Sequence, residues 1–155
     1  MKRIAMIVVA IIIAVFVHSQ ITSLETLLPQ NAQWCELYVA GENDSEISGF
    51  SSCKTTNMTI YRKKCQSQGI KLPKVADTLG VAVKYESGKV TLEQLVDAIG
   101  GKVRSTEKLE NAVVYCGYSN RLGKAIVSDG AQINFQIAVT KDGIIFGSPM
   151  ILGSY

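Results

Sequence analysis

The chain predicts an α+β domain, an antiparallel β-sheet meander covered on one face by two or three helices, behind an N-terminal signal or anchor segment. Three observations carry this expectation. Ile133, Phe135, Ile137 and Val139 alternate with Gln132, Asn134, Gln136 and Thr140, the period-two pattern of a half-buried strand. Asp129-Gly130 and Asp142-Gly143 flank that strand, and Asp-Gly between apolar runs favours turns whose twist suits paired antiparallel strands. Thr91-Leu92-Glu93-Gln94 is a capping box that opens a helical run, with Leu92, Leu95, Val96 and Ile99 on one face and Gly100-Gly101 as the stop.

The N-terminus comes first in order. Met1-Lys2-Arg3 precedes an unbroken apolar run from Ile4 to Val17, and Val17 and Ser19 sit at the minus-three and minus-one positions of a signal-peptidase site. The run is shorter than the roughly 20 apolar residues that span a bilayer. Residues 1–19 therefore read as a signal peptide or membrane anchor and residues 20–155 as a single exported domain, on the extracytoplasmic face. Without Lys2 and Arg3, fourteen basic residues face thirteen acidic ones, so the body is nearly neutral and has no global polyanion-binding signature. Its 47% hydrophobic and 19% charged residues are an ordinary globular balance, enough for one core.

Further along, Thr22 and Glu25 have capping-box spacing for a short helix that Pro29 interrupts. Trp34 to Val39 reads as a strand ending at Gly41, followed by the acidic turn 42–46, and Ile47 to Phe50 is placed to pair back across it. No acidic residue occurs between Glu46 and Asp77, where Met58, Tyr61 and Cys65 have the spacing of one helical face, so this segment is expected to form a basic helix. Gly80 to Tyr85 is another strand, the capped helix follows, and Val103-Arg104 forms a short strand or linker. The meander is then expected at 112–118, 124–128, 131–140 and 144–151, with Pro149 making the last strand an edge strand or ending it. A helix followed by strands thus occurs twice.

Few residues suggest chemistry. His18 is the only histidine and lies at the cleavage site, so the mature chain has no Ser-His or Cys-His pair and no histidine metal ligand. Cys35, Cys53, Cys65 and Cys116 never approach Cys-x-x-Cys spacing. In an exported chain they read as two disulfides, with three connectivities open, against the alternative of buried free thiols. Asp129 and Asp142 belong to turns, Glu93 and Asp97 to an exposed helix face, and the 42–46 loop lacks the glycine and terminal glutamate of a calcium loop. No catalytic, cofactor-binding or metal-binding residue is expected. Arg62, Lys63 and Lys64 are the candidate contact with an anionic surface, although a solvated helix face is the simpler explanation of so short a cluster without interleaved aromatics.

Gly117-Tyr118-Ser119, Gln132 to Ala138, and Gly147-Ser148-Pro149-Met150-Ile151 with the ending Gly153-Ser154-Tyr155 resemble the C-terminal part of YwmB-like proteins of Gram-positive bacteria. Those are small exported or membrane-anchored proteins of unknown function. The resemblance implies a TATA-box-binding-protein-like fold, a curved antiparallel sheet with helices on one face, and supplies no catalytic residue. Fold is not function, and a near-neutral body outside the cytoplasm argues against nucleic acid as a partner.

The expected function is that of a non-enzymatic binding module of the bacterial envelope, contacting a partner protein, wall polymer or membrane surface. The alternative is an extracytoplasmic enzyme working through carboxylates or a thiol, which requires two converging carboxylates or one free cysteine of low pKa. A nucleic-acid binder, by fold analogy, is third.

Overall fold

The computed structural model describes residues 24–65 and 69–153. The expected signal segment with His18, the expected capping residue Thr22, residues 66–68 and Ser154-Tyr155 lie outside them. The chain runs α1 (Leu24–Leu27), β1 (Trp34–Ala40), β2 (Ser51–Lys54), β3 (Met58–Lys64), β4 (Thr78–Glu86), α2 (Leu92–Ala98), β5 (Gly101–Lys108), β6 (Ala112–Ser119), β7 (Ile126–Ser128), β8 (Ala131–Ile133), β9 (Phe135–Thr140) and β10 (Gly143–Ser148). Eight strands form one antiparallel sheet in the order β2-β3-β1-β4-β10-β9-β6-β5, while β7 and β8 form a separate ribbon. The α+β class is as expected, and a helix does precede a four-strand set in each half. The two halves meet along the β4–β10 ladder, where Ile144 faces Tyr85 and Phe146 faces Val83.

Several elements follow local chemistry directly. Thr91 caps α2, with its hydroxyl accepting from the Gln94 N–H and the Gln94 side chain accepting from the Thr91 N–H. Gly100 then takes φ 58, the left-handed conformation that ends the helix. Asp129 (φ 49) and Gly130 (φ 75) form the two-residue turn of the β7–β8 ribbon.

The meander differs from its expected registration. Residues 124–128 do not enter it. β6 pairs directly with β9, and β5 takes the outer position beside β6. The cause is Asn134, which divides the expected 131–140 strand: its N–H donates to Gly117 O at 2.9 Å, while its side chain ties down the β6–β7 connection. Likewise β10 ends at Ser148, before the cis Ser148-Pro149 bond, but lies between β4 and β9 and is not an edge strand. Ile47 to Phe50 forms a turn, and the segment that pairs back is Ser51–Lys54.

Both faces of the sheet are covered. On one, Cys35, Val83, Tyr85, Phe135, Ile137 and Phe146 pack against Leu27, Leu95 and Ile99 from the helical segments. On the other, Tyr38, Ala82, Val114, Ala138 and Ile145 pack with Ile151 of the C-terminal segment. Covering the second face converts an alternating strand into one buried along most of its length, which is why Gln136 is buried and its Oε1 accepts from the Ile151 N–H at 3.0 Å. The outer strands carry their own protection: β5 is exposed, charged at Lys102, Arg104, Glu107 and Lys108, and its register is broken at Arg104.

Candidate functional site

The basic segment 58–64 is a strand, not a helix. Met58-Thr59-Ile60-Tyr61 is rich in branched and aromatic side chains, and β3 pairs on both sides, with β1 and with β2. Helical spacing of Met58, Tyr61 and Cys65 is overridden by that two-sided ladder. The consequence for Arg62, Lys63 and Lys64 is geometric, because successive strand residues point to opposite faces. Lys63 lies on the helix side, with its Nζ 5.5 Å from the centre of the Phe50 ring. Arg62 and Lys64 share the other face, so the three do not form one cluster.

On that second face Arg62 is held firmly. Its Nε donates to Glu36 Oε1 at 2.6 Å, a second guanidinium nitrogen reaches the same oxygen, and its Cζ stands 4.9 Å from the centre of the Trp34 ring. Glu36 is a buried carboxylate with its side chain 3% exposed, and its Oε2 accepts from the Tyr38 hydroxyl at 2.7 Å. Burial, then the hydrogen bond to Glu36 and its charge, push the Tyr38 phenol well above its ordinary range. Gly153 of the C-terminal segment closes over the Tyr38 hydroxyl. With Glu36 neutralising Arg62, this group fastens the C-terminal segment to the sheet.

Trp34 is the centre of the remaining cationic row. Its direct cross-strand partners are Lys64 on β3 and Lys84 on β4. Cross-strand partners share a face, so Trp34 sits between two lysine positions on that face, with the Arg62 guanidinium stacked on its ring. Among the described residues neither Lys64 nor Lys84 forms an ion pair. The β1 strand specifies this arrangement: Trp34, Glu36 and Tyr38 alternate with Cys35, Leu37 and Val39, which fill the helix-side core.

A cleft of about 390 Å³ opens on the helix side, with apolar walls from Leu24, Leu37, Leu72 and Val81. Its one carboxylate, Glu25, accepts from the Leu72 backbone N–H, so it serves the fold of the 69–78 segment. Among the described residues no three His, Cys, Asp or Glu side chains converge as metal ligands, and no helix is long and apolar enough to cross a membrane.

The four cysteines are all free thiols, which corrects the two-disulfide expectation. Cys53 on β2 and Cys116 on β6 stand six inter-strand steps apart, roughly 29 Å, far beyond disulfide reach. Cys35 and Cys53 point to opposite faces. Cys35 on β1 and Cys116 on β6 are four inter-strand steps apart, roughly 19 Å, so all three two-disulfide pairings fail. Cys35 and Cys65 do meet, and burial pushes the Cys35 thiol up to about 12 and raises that of Cys65 as well.

Trp34, Glu36 and Lys84 were not singled out by sequence spacing. The signal was present in Trp34-x-Glu36-x-Tyr38, which places a carboxylate between two aromatics on one strand face, but a partner strand had to be known before it pointed to Arg62. No family model, curated protein or solved structure matches this chain.

Proposed function

We propose that this chain is a non-enzymatic, extracytoplasmic interaction module that holds a phosphate-bearing wall polymer against the sheet face around Trp34. The observation that carries the reading is the placement of Trp34 between Lys64 and Lys84, with Arg62 stacked on its ring. Two inter-strand steps separate the lysines by about 10 Å, a spacing that suits successive charges of a chain better than a single small anion. The indole supplies an apolar platform for the sugar or polyol carbons between phosphates. Burial raises the thiols of Cys35 and Cys65, the direction opposite to that which activates a cysteine nucleophile, so neither of these two supports the thiol-enzyme alternative. Export by residues 1–19, with or without cleavage, and membership of the YwmB-like family with its TATA-box-binding-protein-like fold belong to the same proposal.

The test is cosedimentation of the protein from its own cells with purified wall fragments, before and after extraction of their anionic polymer. A K64E/K84E double variant is expected to bind at least about tenfold more weakly, because each reversal removes one attraction of about 1 kcal/mol and adds a repulsion. Lys63→Glu, on the opposite face, is expected to bind as the wild type does. Binding that survives polymer extraction, or that ignores both salt and K64E/K84E, would sink the proposal. Equal binding to phosphatidylglycerol vesicles would redirect it to the membrane surface.

A further inference from the structure

We propose that Cys35 and Cys65 are a disulfide-forming pair that staples β1 to the chain leaving β3, and that Cys53 and Cys116 remain thiols. Cys35 belongs to the helix-side core and Cys65 packs against that same core, both as free thiols. The backbone brings them there. Cys35 is the cross-strand partner of Lys63, and the Cys65 N–H donates to Gln33 O at 2.9 Å, so the cysteines occupy diagonal positions of one ladder. Cys65 lies one residue past the end of β3, so a bond to Cys35 would fasten the chain leaving β3 to β1. Cys53 and Cys116 have no such neighbour across the sheet, which makes the pairing unique.

The accessibilities assign the order of events. Cys65 is half-buried and Cys35 fully buried, so Cys65 meets the oxidant first. The oxidant is a disulfide, either a protein thiol oxidase or a low-molecular-weight disulfide. The Cys65 thiolate, having lost its proton to solvent, attacks one sulfur of that disulfide and releases the other as a thiolate. The Cys35 thiolate then attacks Cys65 Sγ in the mixed disulfide and expels the second thiolate of the oxidant. Two protein thiols are oxidised and one external disulfide is reduced to two thiols, which take up the two protons the cysteines lost. Because burial raises both thiols, closure accelerates as pH rises above neutrality.

The bond would form directly behind the row proposed to bind polymer, since Cys35 adjoins Trp34 and Cys65 adjoins Lys64. Its existence is nonetheless independent of that reading, and K64E/K84E would leave it unaffected. The experiment exposes the full chain to a mixture of oxidised and reduced glutathione, traps free thiols by alkylation, and maps peptides without reduction. The expected product is a Cys35–Cys65 linked peptide, lighter by about 2 Da than the two thiol peptides, with Cys53 and Cys116 alkylated. Oxidation is expected to raise Tm by about 10 °C in the wild type and in a C53S/C116S variant, and to leave Tm unchanged in C65S. If C65S does not fold, the peptide map of C53S/C116S decides. Recovery of Cys35 and Cys65 as alkylated thiols, of Cys65 only as a glutathione adduct, or of any other pairing would overturn the proposal.

Discussion

Asn134 and Ser119 grip each other reciprocally: the Ser119 N–H donates to Asn134 Oδ1 and Asn134 Nδ2 donates to Ser119 O, each at 2.8 Å, with both residues buried. The amide side chain thus completes the ladder where β9 has not yet begun, and a third bond from its Nδ2 reaches Leu122 O. Replacing it with Ala leaves a buried N–H and carbonyls without partners. Asn134→Ala is expected to lower stability by about 2–3 kcal/mol, read as a lower urea midpoint at constant slope. A midpoint within error of the wild type would show that water replaces the grip.

Gly117 lies under the Phe135 ring, and a Cβ there would collide with Phe135 and with the Lys102 carbonyl. The second obstacle is backbone of the neighbouring strand and cannot rotate away. Gly117→Ala is therefore expected to cost at least about 2 kcal/mol in chemical denaturation, against a few tenths for Ser105→Ala on the exposed partner strand β5. Equal midpoints for the two variants would contradict the packing at Phe135.

Removing Arg62 uncovers the Glu36 carboxylate, whose side chain is 3% exposed, while the Arg62 side chain is 58% exposed and its charge partly screened. Arg62→Ala is expected to destabilise by about 1–3 kcal/mol, and adding Glu36→Gln is expected to restore part of that loss. A double-mutant cycle measures the coupling. Strict additivity would mean the pair contributes nothing.

In the reduced protein Cys35 is held protonated up to about 12, from an ordinary value of 9.0, by burial and then by the neighbouring Cys65. A raised folded-state pKa means stability that is complete below the unfolded value and is lost as pH climbs from about 9 to about 12. Burial raises the phenols of Tyr38 and Tyr85 in the same direction. Alkaline unfolding is thus expected to set in above pH 9, at up to about 1.4 kcal/mol per pH unit for the thiol, and Cys35→Ser is expected to flatten the first part of that slope. Denaturation midpoints between pH 7 and pH 11 check this, and a flat wild-type profile would refute it.

What the sequence by itself determined is whatever rests on neighbours along the chain. Thr91 with Gln94 and Gly100 bound one helix, Asp129-Gly130 turns one ribbon, and the alternations of Trp34–Val39 and Phe135–Val139 make strands, because capping, turn conformation and side-chain direction are set within a few residues. Tertiary structure alone decided what depends on which strand lies beside which. Met58–Lys64 is helical in spacing and a strand in fact, since β1 and β2 satisfy its backbone on both sides. The C-terminal segment buries Gln136 on a face that alternation had assigned to solvent. The same ladders separate Lys63 from Arg62 and Lys64, set Trp34 between Lys64 and Lys84, and bring Cys35 to Cys65 while placing Cys53 and Cys116 out of reach. Strand order is a long-range choice made by the burial of whole faces, and no local run of residues encodes it.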